Sequence, residues 1–534
     1  MNRIKRIISA AAAICLAISL AGCDAVDIIK EKLPLEETQD GGTIVENNDT
    51  AEISNSISVG ILDFDTFNPL LTESESVKEC MQFVYEPLFD INEIMQPYPI
   101  LAESYTVSAD GRTIDINLKN NILWQDGSSF TAYDVAYTFK QILAGKTTYT
   151  SSLEDVEDYS ATGDYSISIE LKRAVPSFVS LLTFPIVQYQ TDMDLDANYI
   201  PVGTGAFKYE AQLSTGKLSF AAFENYHNGR ANIDNLYVYT APDLRKYESM
   251  FEASEIDLIT DNTVDLLEYT PRGSAKNNEY ITNKMTFVGY NLQSKILSGA
   301  DTRKGLAKLI DKDGIVNSTI YSKGVASDLP INPSSLYYYD TNTKFKSDEL
   351  SALQFLGNDG WGVNLDGQYV RTVDGERQTL TLEILTNADS AEKVSIAEKI
   401  AGDFNYFGIP TEVNALPYEE YMAKVDAKDY DLMIGEVEIG ANLDLSPLVS
   451  SSGNYFSYSS ADLDTLTEQM GMTRDEEELK ALFVQYGDII LNDMPFSVLF
   501  YRKGDVLSGS KIKTEIVPTV GQVYRNVETW SVTQ

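Results

Sequence analysis

Residues Leu101 to Phe139 read LAESYTVSADGRTIDINLKNNILWQDGSSFTAYDVAYTF, and this stretch decides the fold. It contains two extended runs, Ser104–Ser108 and Thr113–Leu118, and the second alternates apolar and polar residues as a half-buried strand does. Asp110 and Gly111 stand between the runs, and an Asp-Gly pair is a strong signal for a tight β-hairpin turn. The first half of the stretch therefore predicts a hairpin.

The second half of the stretch predicts a turn followed by a capped helix. Asp126 and Gly127 form the turn signal. Thr131 can cap the helix with its side-chain oxygen, and Asp134 lies at the third helical position, where its carboxylate can bond back to the cap. The apolar residues of this helix recur at helical spacing and predict one buried face: Ala132, Val135, Ala136, Phe139, Ile142 and Leu143.

This stretch resembles the extracytoplasmic solute-binding proteins that serve peptide and nickel ABC importers, the oligopeptide- and dipeptide-binding class. The family pattern is LA-x-SY or SW, then D-G-[KR]-T, a strand, and DG-x-x-[FL]-TA-x-DV, which recurs here almost letter for letter. Shorter matches are scattered over residues 53 to 515, and Gly203 to Phe207 matches the family's GTG-[PA]-[FY] turn. A phosphate cradle is the alternative interpretation of those glycines, but Lys208 leaves the dinucleotide fingerprint incomplete.

The resemblance implies an α/β fold of the type II periplasmic-binding-protein kind, in which two lobes with mixed sheets are joined by a hinge. A small extra subdomain is expected in the first lobe. The length of 534 residues agrees with more than one lobe, because single cores stop growing near roughly 250–300 residues. The expected division is a signal peptide at 1–22, a flexible tether at 23–52, the first lobe at 53–90 and 190–278, the extra subdomain at 91–189, the second lobe at 279–490, and a return to the first lobe at 491–534.

The composition combines an ordinary hydrophobic content with a large excess of acid. Hydrophobic residues make up 43% of the chain, and 80 acidic residues against 41 basic ones give a formal charge of −39. A field of this sign repels phosphate backbones and anionic membrane surfaces. The charge therefore argues against nucleic-acid binding, and its simplest role is to keep an exported protein soluble.

The N-terminus predicts a lipoprotein signal peptide. Arg3, Lys5 and Arg6 precede an apolar run, Ile7–Leu20, that is shorter than the roughly 20 residues needed to span a bilayer. The tetrapeptide that ends in Cys23 resembles a bacterial lipobox. This resemblance implies cleavage before Cys23, lipidation of its thiol and attachment to the extracytoplasmic face of the cell membrane. The acidic, aromatic-poor segment that follows predicts the flexible tether.

The residues that enzymes use most often are scarce. His227 is the sole histidine, which excludes a zinc site of the H-E-x-x-H type and leaves a Ser-His-Asp triad only that one residue. A two-carboxylate hydrolase stays open among 80 acids, although no pair is marked out. Spare histidines for nickel are missing. We therefore predict a binding protein rather than an enzyme, with neither a cofactor nor a metal site.

The stretch Thr379–Gly435 predicts two crossover units of a parallel sheet. Its expected elements are a strand through Leu380–Ile384, a helix capped by Asp389 and ended by Gly408, a strand at Ile409–Ala415, a helix opened by Pro417, and a strand at Tyr430–Ile434. Ligands of open parallel sheets bind outside the carboxyl ends of the strands. The following segment, Gly435–Pro447, is therefore expected to face a ligand cleft.

Peptide-binding members of the family carry W-x-x-D in the equivalent loop, where the aspartate pairs with the peptide's α-ammonium. This chain lacks the tryptophan, and its candidate acids are Glu436, Glu438 and Asp444. Asp444 is the preferred candidate, because it precedes Pro447 by three residues much as the family's aspartate precedes its proline. Such a carboxylate can form a charge-assisted hydrogen bond to an ammonium, and a local loop or cap hydrogen bond is the other interpretation.

Three further residues complete the candidate ligand-binding set. Asn442 belongs to the same segment as Asp444. Asn68 stands in the place of the family's L-[DN]-P loop. Tyr501 lies in a strand that resembles the family's P-x-[IV]-x-[LF]-[YF] segment, either as a cleft aromatic or as a core residue.

The resulting prediction is a monomeric, membrane-anchored receptor that captures oligopeptides, or another small solute, and delivers them to the transmembrane subunits of an ABC permease. The missing tryptophan leaves two alternatives open. One is a lipoprotein that binds oligosaccharides, and the other is a sensor of peptides or pheromones.

Overall fold

The structure, a computed structural model, describes residues 55–533 apart from 63, 146, 190, 192–198, 214–215, 261–274 and 342–345. The predicted signal peptide, the lipidation candidate Cys23 and the predicted tether lie outside the described residues. The described residues all belong to one compact unit, Glu46–Gln534.

The described strands form one large mixed sheet and three small ones. They are β1 (Ser56–Ile61), β2 (Phe89–Ile91), β3 (Pro97–Pro99), β4 (Ala102–Val107), β5 (Thr113–Leu118), β6 (Val156–Gly163), β7 (Ser166–Leu171), β8 (Phe207–Gln212), β9 (Leu218–Ala222), β10 (Asn235–Thr240), β11 (Leu258–Thr260), β12 (Lys276–Tyr290), β13 (Gly324–Ala326), β14 (Gly362–Val363), β15 (Tyr369–Val373), β16 (Glu376–Thr379), β17 (Leu382–Asn387), β18 (Thr411–Leu416), β19 (Leu432–Glu438) and β20 (Phe496–Ser508).

The described α-helices lie mainly in the second half of the chain. They are α1 (Glu75–Met81), α2 (Ala132–Leu143), α3 (Leu244–Glu252), α4 (Ala300–Leu309), α5 (Lys312–Ser318), α6 (Glu349–Asn358), α7 (Ala391–Tyr406), α8 (Tyr418–Ala427), α9 (Ser446–Val449), α10 (Ala461–Met472) and α11 (Glu476–Asp493). No helix among the described residues has both the length and the apolar character needed to cross a membrane.

The hairpin and the capped helix predicted from residues 101 to 139 are confirmed. β4 and β5 pair antiparallel, and Gly111 adopts the positive φ that the turn between them requires. Thr131 is the N-cap of α2, and its backbone N–H donates to Asp134 Oδ2 at 2.7 Å. Four residues of the predicted apolar face are buried, whereas Ala136 is half-buried and Leu143, at the end of the helix, is exposed. β4 and β5 continue into the four-stranded sheet β4-β5-β7-β6.

The two crossover units predicted after residue 379 are also present. β17 pairs in parallel with both β18 and β19, and the helices α7 and α8 connect them. Two details of the prediction were wrong. The N-cap of α7 is Ser390 rather than Asp389, because the Ser390 hydroxyl accepts the backbone N–H of Lys393. The last strand continues to Glu438, because β12 offers it a pairing edge that extends past residue 434.

The large sheet is continuous, and two long strands carry it from one end to the other. Its order is β18-β17-β19-β12-β20-β11-β1-β10-β9-β8, with β13 also paired to β20. β12 and β20, which we call the crossing strands, pair antiparallel from Lys276 with Ser508 to Gly289 with Phe496. Their register is irregular at two places, between Ile281 and Met285 and between Thr286 and Phe287, and we call the first of these the register break. It leaves residues 282–284 of β12 outside the regular pairing with β20.

Two hydrophobic cores lie on the two sides of this break. The first core contains residues between Ile57 and Leu258 together with the chain end from Val506 to Trp530. The second core runs from Met285 to Tyr501 and also takes in Ile91 and Met95. The predicted boundaries at 278/279 and 490/491 fall inside β12 and α11 respectively. The division into lobes stays a prediction.

Candidate functional site

A large cavity lies where segments of both cores meet. Its volume is about 1050 Å³. The first core contributes residues from 69–87, 148–185 and 520–523, the second core contributes Ile91 and residues from 438–453, and the crossing strands contribute Asn283. We call this space the inter-core cavity. Because its walls come from both sides of the crossing strands, any movement of one core against the other changes its shape.

The segment after β19 forms one wall, as the strand topology predicts. Glu438 is the last residue of the strand, and the chain then turns, with the backbone N–H of Leu443 donating to the carbonyl of Gly440 at 2.8 Å. The backbone N–H of Ile439 donates to the Asn283 carbonyl, which fixes the start of the turn against the crossing strands. Glu438, Asn442 and Asp444 all line the inter-core cavity.

Asp444 is held by local hydrogen bonds and by an ion pair across the cavity. Its Oδ1 accepts the backbone N–H of Ser446 at 2.9 Å, and its Oδ2 accepts a hydrogen bond of 2.7 Å from Arg173 Nη2. Arg173 also donates from Nε and Nη2 to Asp155 at 3.0 and 2.8 Å. Burial opposes the charge on Arg173, but the hydrogen bonds to Asp444 and Asp155 outweigh it and raise the pKa of the guanidinium. The single guanidinium of Arg173 therefore pairs with the carboxylates of both Asp155 and Asp444.

The remaining charges of the cavity are also mostly acidic. Lys78 pairs with Glu75 at 2.7 Å. Among the described residues, the carboxylates of Glu154 and Glu438 have no ion-pair or hydrogen-bond partner. Over the whole lining, six acidic residues stand against two basic ones: Glu75, Glu79, Glu154, Asp155, Glu438 and Asp444 against Lys78 and Arg173. The lining thus carries a formal charge of −4.

Hydroxyl groups make up much of the rest of the polar lining. Ser180 is 1% exposed, and its Oγ has no hydrogen-bond partner among the described residues. Tyr85 also lines the cavity, but its hydroxyl lies 3.0 Å from that of Tyr199 and accepts the backbone N–H of Val202. A buried polar group without a partner costs free energy, so Ser180 has unused hydrogen-bonding capacity at the cavity lining.

Glu436 does not line the inter-core cavity. It lies within β19, where its Oε1 is 3.4 Å from Lys393 Nζ and its Oε2 is 3.7 Å from Arg502 Nη2. Arg502 also pairs with Glu392. The strand continues four residues further than expected before the turn begins, so Glu438 and not Glu436 reaches the cavity.

Tyr501 and Asn68 are buried in the protein rather than exposed to the cavity. Tyr501 is 0% exposed in the second core, between Met285 and Val325 of the neighbouring strands. Of the two interpretations of Tyr501, the structure shows the core residue. Asn68 is also fully buried, and its Oδ1 accepts the backbone N–H of Leu70. Asn68 shapes the turn whose next residue, Pro69, lines the cavity.

The structure adds cavity residues that the sequence did not single out. Arg173, Asp155 and Glu154 flank the sheet β4-β5-β7-β6, and Ser180 follows in a short 3₁₀ turn. Arg173 and Asp444 are 271 residues apart in the chain. No local pattern marks such a pair, because only the packing of the two cores brings them together.

Comparisons with known proteins agree with this architecture. The family described as "Bacterial extracellular solute-binding proteins, family 5 Middle" matches residues 96–458. The oligopeptide-binding protein AppA of Bacillus subtilis is 22% identical over 489 residues, which cover 87% of this chain and 89% of that protein. The heme-binding protein A of Haemophilus influenzae is 24% identical, with 84% and 87% covered.

A solved structure shows the same fold. The nickel ABC transporter protein from Bacillus halodurans aligns with a TM-score of 0.76 at 22% identity, and the alignment covers 90% of this chain and 100% of that one.

Proposed function

The chain belongs to the bacterial extracellular solute-binding proteins of family 5, and on that premise we propose that it captures oligopeptides for an ABC importer. The observation that carries this proposal is the inter-core cavity, whose volume of about 1050 Å³ lies at the upper end of the range typical of ligand sites. A peptide would bind there, the two cores would close over it, and the transmembrane subunits of a permease would receive it. The receptor acts as a monomer, anchored to the extracytoplasmic face of the membrane through a lipid on Cys23.

The chemistry of the cavity supports a peptide rather than haem or a metal. The relatives include proteins named for oligopeptide, heme and nickel. Haem carries two propionates, which a lining with a formal charge of −4 repels. Among the described residues, no group of three or more His, Cys, Asp or Glu side chains is placed to hold a metal ion. Hydroxyls and carboxylates are suited to the N–H and ammonium groups of a peptide.

Asp444 is the residue that would receive the peptide's α-ammonium. It shares Arg173 with Asp155, so the three side chains together keep one uncompensated negative charge. An ammonium bound beside Asp444 would neutralise that charge and form a charge-assisted hydrogen bond. Asn442 lies two residues away, with Oδ1 3.4 Å from the backbone N–H of Asp444, and supports the same wall.

Closure would bend the crossing strands at the break between Ile281 and Met285. The two halves would be the predicted lobes, with residues 53–278 and 491–534 on one side and residues 279–490 on the other. A ligand stabilises the closed form only through contacts that the open form lacks. The ion pair between Arg173 and Asp444 already joins the two sides, so the peptide would have to add contacts of its own with both of them.

Titration calorimetry with pentaalanine and with its N-acetylated form tests this assignment. We expect Asp444→Asn to weaken the binding of pentaalanine about tenfold or more, since a charge-assisted hydrogen bond contributes roughly 1.5–3 kcal/mol. The same change should leave the weaker binding of the acetylated peptide unaltered. Asp366→Asn, in an exposed turn, is the matched control. The assignment of Asp444 is wrong if Asp444→Asn binds both peptides as the unchanged protein does.

A further inference from the structure

The charge of the inter-core cavity is not balanced by the protein itself. Both of its basic side chains are already paired, Lys78 with Glu75 and Arg173 with Asp155 and Asp444. Glu154 and Glu438 remain without a cationic partner among the described residues, and they line the cavity from segments that belong to different cores. Their carboxylates are therefore available to a ligand.

From this imbalance we propose that the cavity selects oligopeptides that carry two or more basic side chains. The inference rests on the proposed peptide-binding function and adds to it the chemical class of the peptide. A peptide with lysines or arginines would place one cation near Glu154 and another near Glu438. Both cores would then take part in binding, so the same charges that select the ligand would also favour closure.

The physical reason is the cost of enclosing uncompensated charge. When the cores close on a neutral peptide, Glu154 and Glu438 lose water without gaining a partner, which is unfavourable. A cationic side chain offsets that loss of water, because it forms a charge-assisted hydrogen bond with the carboxylate. An acidic peptide adds repulsion to the loss of water. Selectivity thus comes both from the attraction of basic peptides and from the exclusion of acidic ones.

A second, independent feature of the cavity also calls for a donor on the ligand. Ser180 is 1% exposed, lines the same cavity, and has a hydroxyl oxygen with no hydrogen-bond partner among the described residues. A hydroxyl oxygen can accept hydrogen bonds from ammonium or guanidinium groups, which are donors only. The formal charge of −39 on the whole chain acts in the same direction, because it raises the local concentration of cationic ligands and their rate of association.

Calorimetry with three matched pentapeptides tests the proposal: Ala-Lys-Ala-Ala-Lys, pentaalanine and Ala-Glu-Ala-Ala-Glu. We expect the basic peptide to bind at least about tenfold more tightly than pentaalanine and the acidic peptide to bind more weakly than either. The advantage of the basic peptide should shrink as sodium chloride is raised from about 50 to about 500 mM, because salt screens the charges.

Two double variants separate the cavity charges from the charge of the whole chain. Glu154→Gln with Glu438→Gln should remove most of the advantage that the basic peptide has over pentaalanine. Glu398→Gln with Glu412→Gln removes two exposed acids outside the cavity and should keep the advantage. Near-ultraviolet circular dichroism of each variant checks that the fold is intact.

The outcomes distinguish failure of this proposal from failure of the proposed function. If all three peptides bind with equal affinity, the charge selectivity is wrong and peptide capture stands. If spermidine binds and no peptide does, the cavity selects cations, but peptide capture is wrong. If the cavity double variant keeps the full advantage of the basic peptide, Glu154 and Glu438 are not its source and the proposal is overturned.

Discussion

Gly203 lies where the backbone of one loop passes close to another. A Cβ atom added to it would stand 1.8 Å from the carbonyl oxygen of Val84. The same turn is held by the backbone N–H of Gly205, which donates to that oxygen at 2.8 Å. The glycines of the GTG turn thus allow two loops to pack closely. This role accounts for them without phosphate binding, in agreement with the dinucleotide fingerprint that Lys208 leaves incomplete.

We predict that Gly203→Ala destabilises the protein by about 2–4 kcal/mol, because the backbone of one of the two loops must move to admit the methyl group. Chemical unfolding monitored by circular dichroism measures the change. Gly402→Ala is the matched control, since Gly402 is in α7 with no atom near its missing Cβ. That substitution should stabilise by about 0.5–1 kcal/mol. Equal effects of the two changes would contradict the close approach.

Asp90 is a buried acid that should make stability depend on pH. Burial raises its pKa from 3.8 to about 6, although Tyr98 donates to its Oδ2 at 2.7 Å. Between these two values the folded chain binds more protons than the unfolded chain, so the contribution of Asp90 to stability is complete below about pH 4 and is lost as the pH rises through 6.

Asp90→Asn should remove this loss. We predict that the melting temperature of the variant minus that of the unchanged protein is more positive at pH 7 than at pH 4. Differential scanning calorimetry at both values measures the difference, and Asp366→Asn in an exposed turn should show none. If this difference is instead smaller at pH 7 than at pH 4, the charged carboxylate of Asp90 stabilises the folded protein, and the prediction is wrong.

At this scale the sequence predicts some cavity residues and misses others. Topology predicted that the segment Gly435–Pro447, which contains Asp444 and Asn442, faces a cleft, and the resemblance to the family singled out Asp444. Arg173 could not be predicted, since its partner Asp444 is 271 residues away. Tyr501 and Asn68 lie in segments that resemble the family, yet resemblance does not tell which way a side chain faces.

Among the elements, α2 shows how local signals specify structure. Asp134 Oδ2 accepts the backbone N–H of Thr131 at 2.7 Å, and Oδ1 accepts that of Tyr189 at 2.7 Å. One carboxylate therefore caps the helix and also ties it to a loop 55 residues further along the chain.

We predict that Asp134→Ala destabilises the protein by about 1–3 kcal/mol, because it leaves the backbone N–H groups of Thr131 and Tyr189 without a partner. Urea unfolding is the measurement. Lys140→Ala, on an exposed position of the same helix, should change stability by less than about 0.5 kcal/mol. If both variants unfold at the same urea concentration, Asp134 is not a structural cap.

The hairpin, α2 and the crossover units were predictable because hydrophobic period, turn residues and caps act within about ten residues of sequence. The crossing strands were not, since pairing between β12 and β20 joins residues about 200 positions apart. The same limit explains the end of β19. Its extension to Glu438 depends on the neighbouring strand β12 and not on its own residues.

For the whole molecule, the predicted type II periplasmic-binding-protein fold is confirmed by solved structures that cover 90% of the chain. Membership of family 5 also agrees with the resemblance seen in residues 101 to 139. The structure adds that the two cores are joined through one continuous sheet. Asn283 of the cavity wall lies in β12 between Ile281 and Met285, where the register of the crossing strands is broken.

Native mass spectrometry of the protein purified from its own cells tests the central claim most directly, because the claim is that the inter-core cavity holds a peptide. We predict bound species whose fragments are peptides rich in lysine or arginine. They should be absent from Ser452→Trp, which fills part of the cavity, and present in Ser395→Trp on the exposed face of α7. Peptides retained equally by Ser452→Trp, or bound species that are haem, a metal chelate or a sugar, would contradict the account.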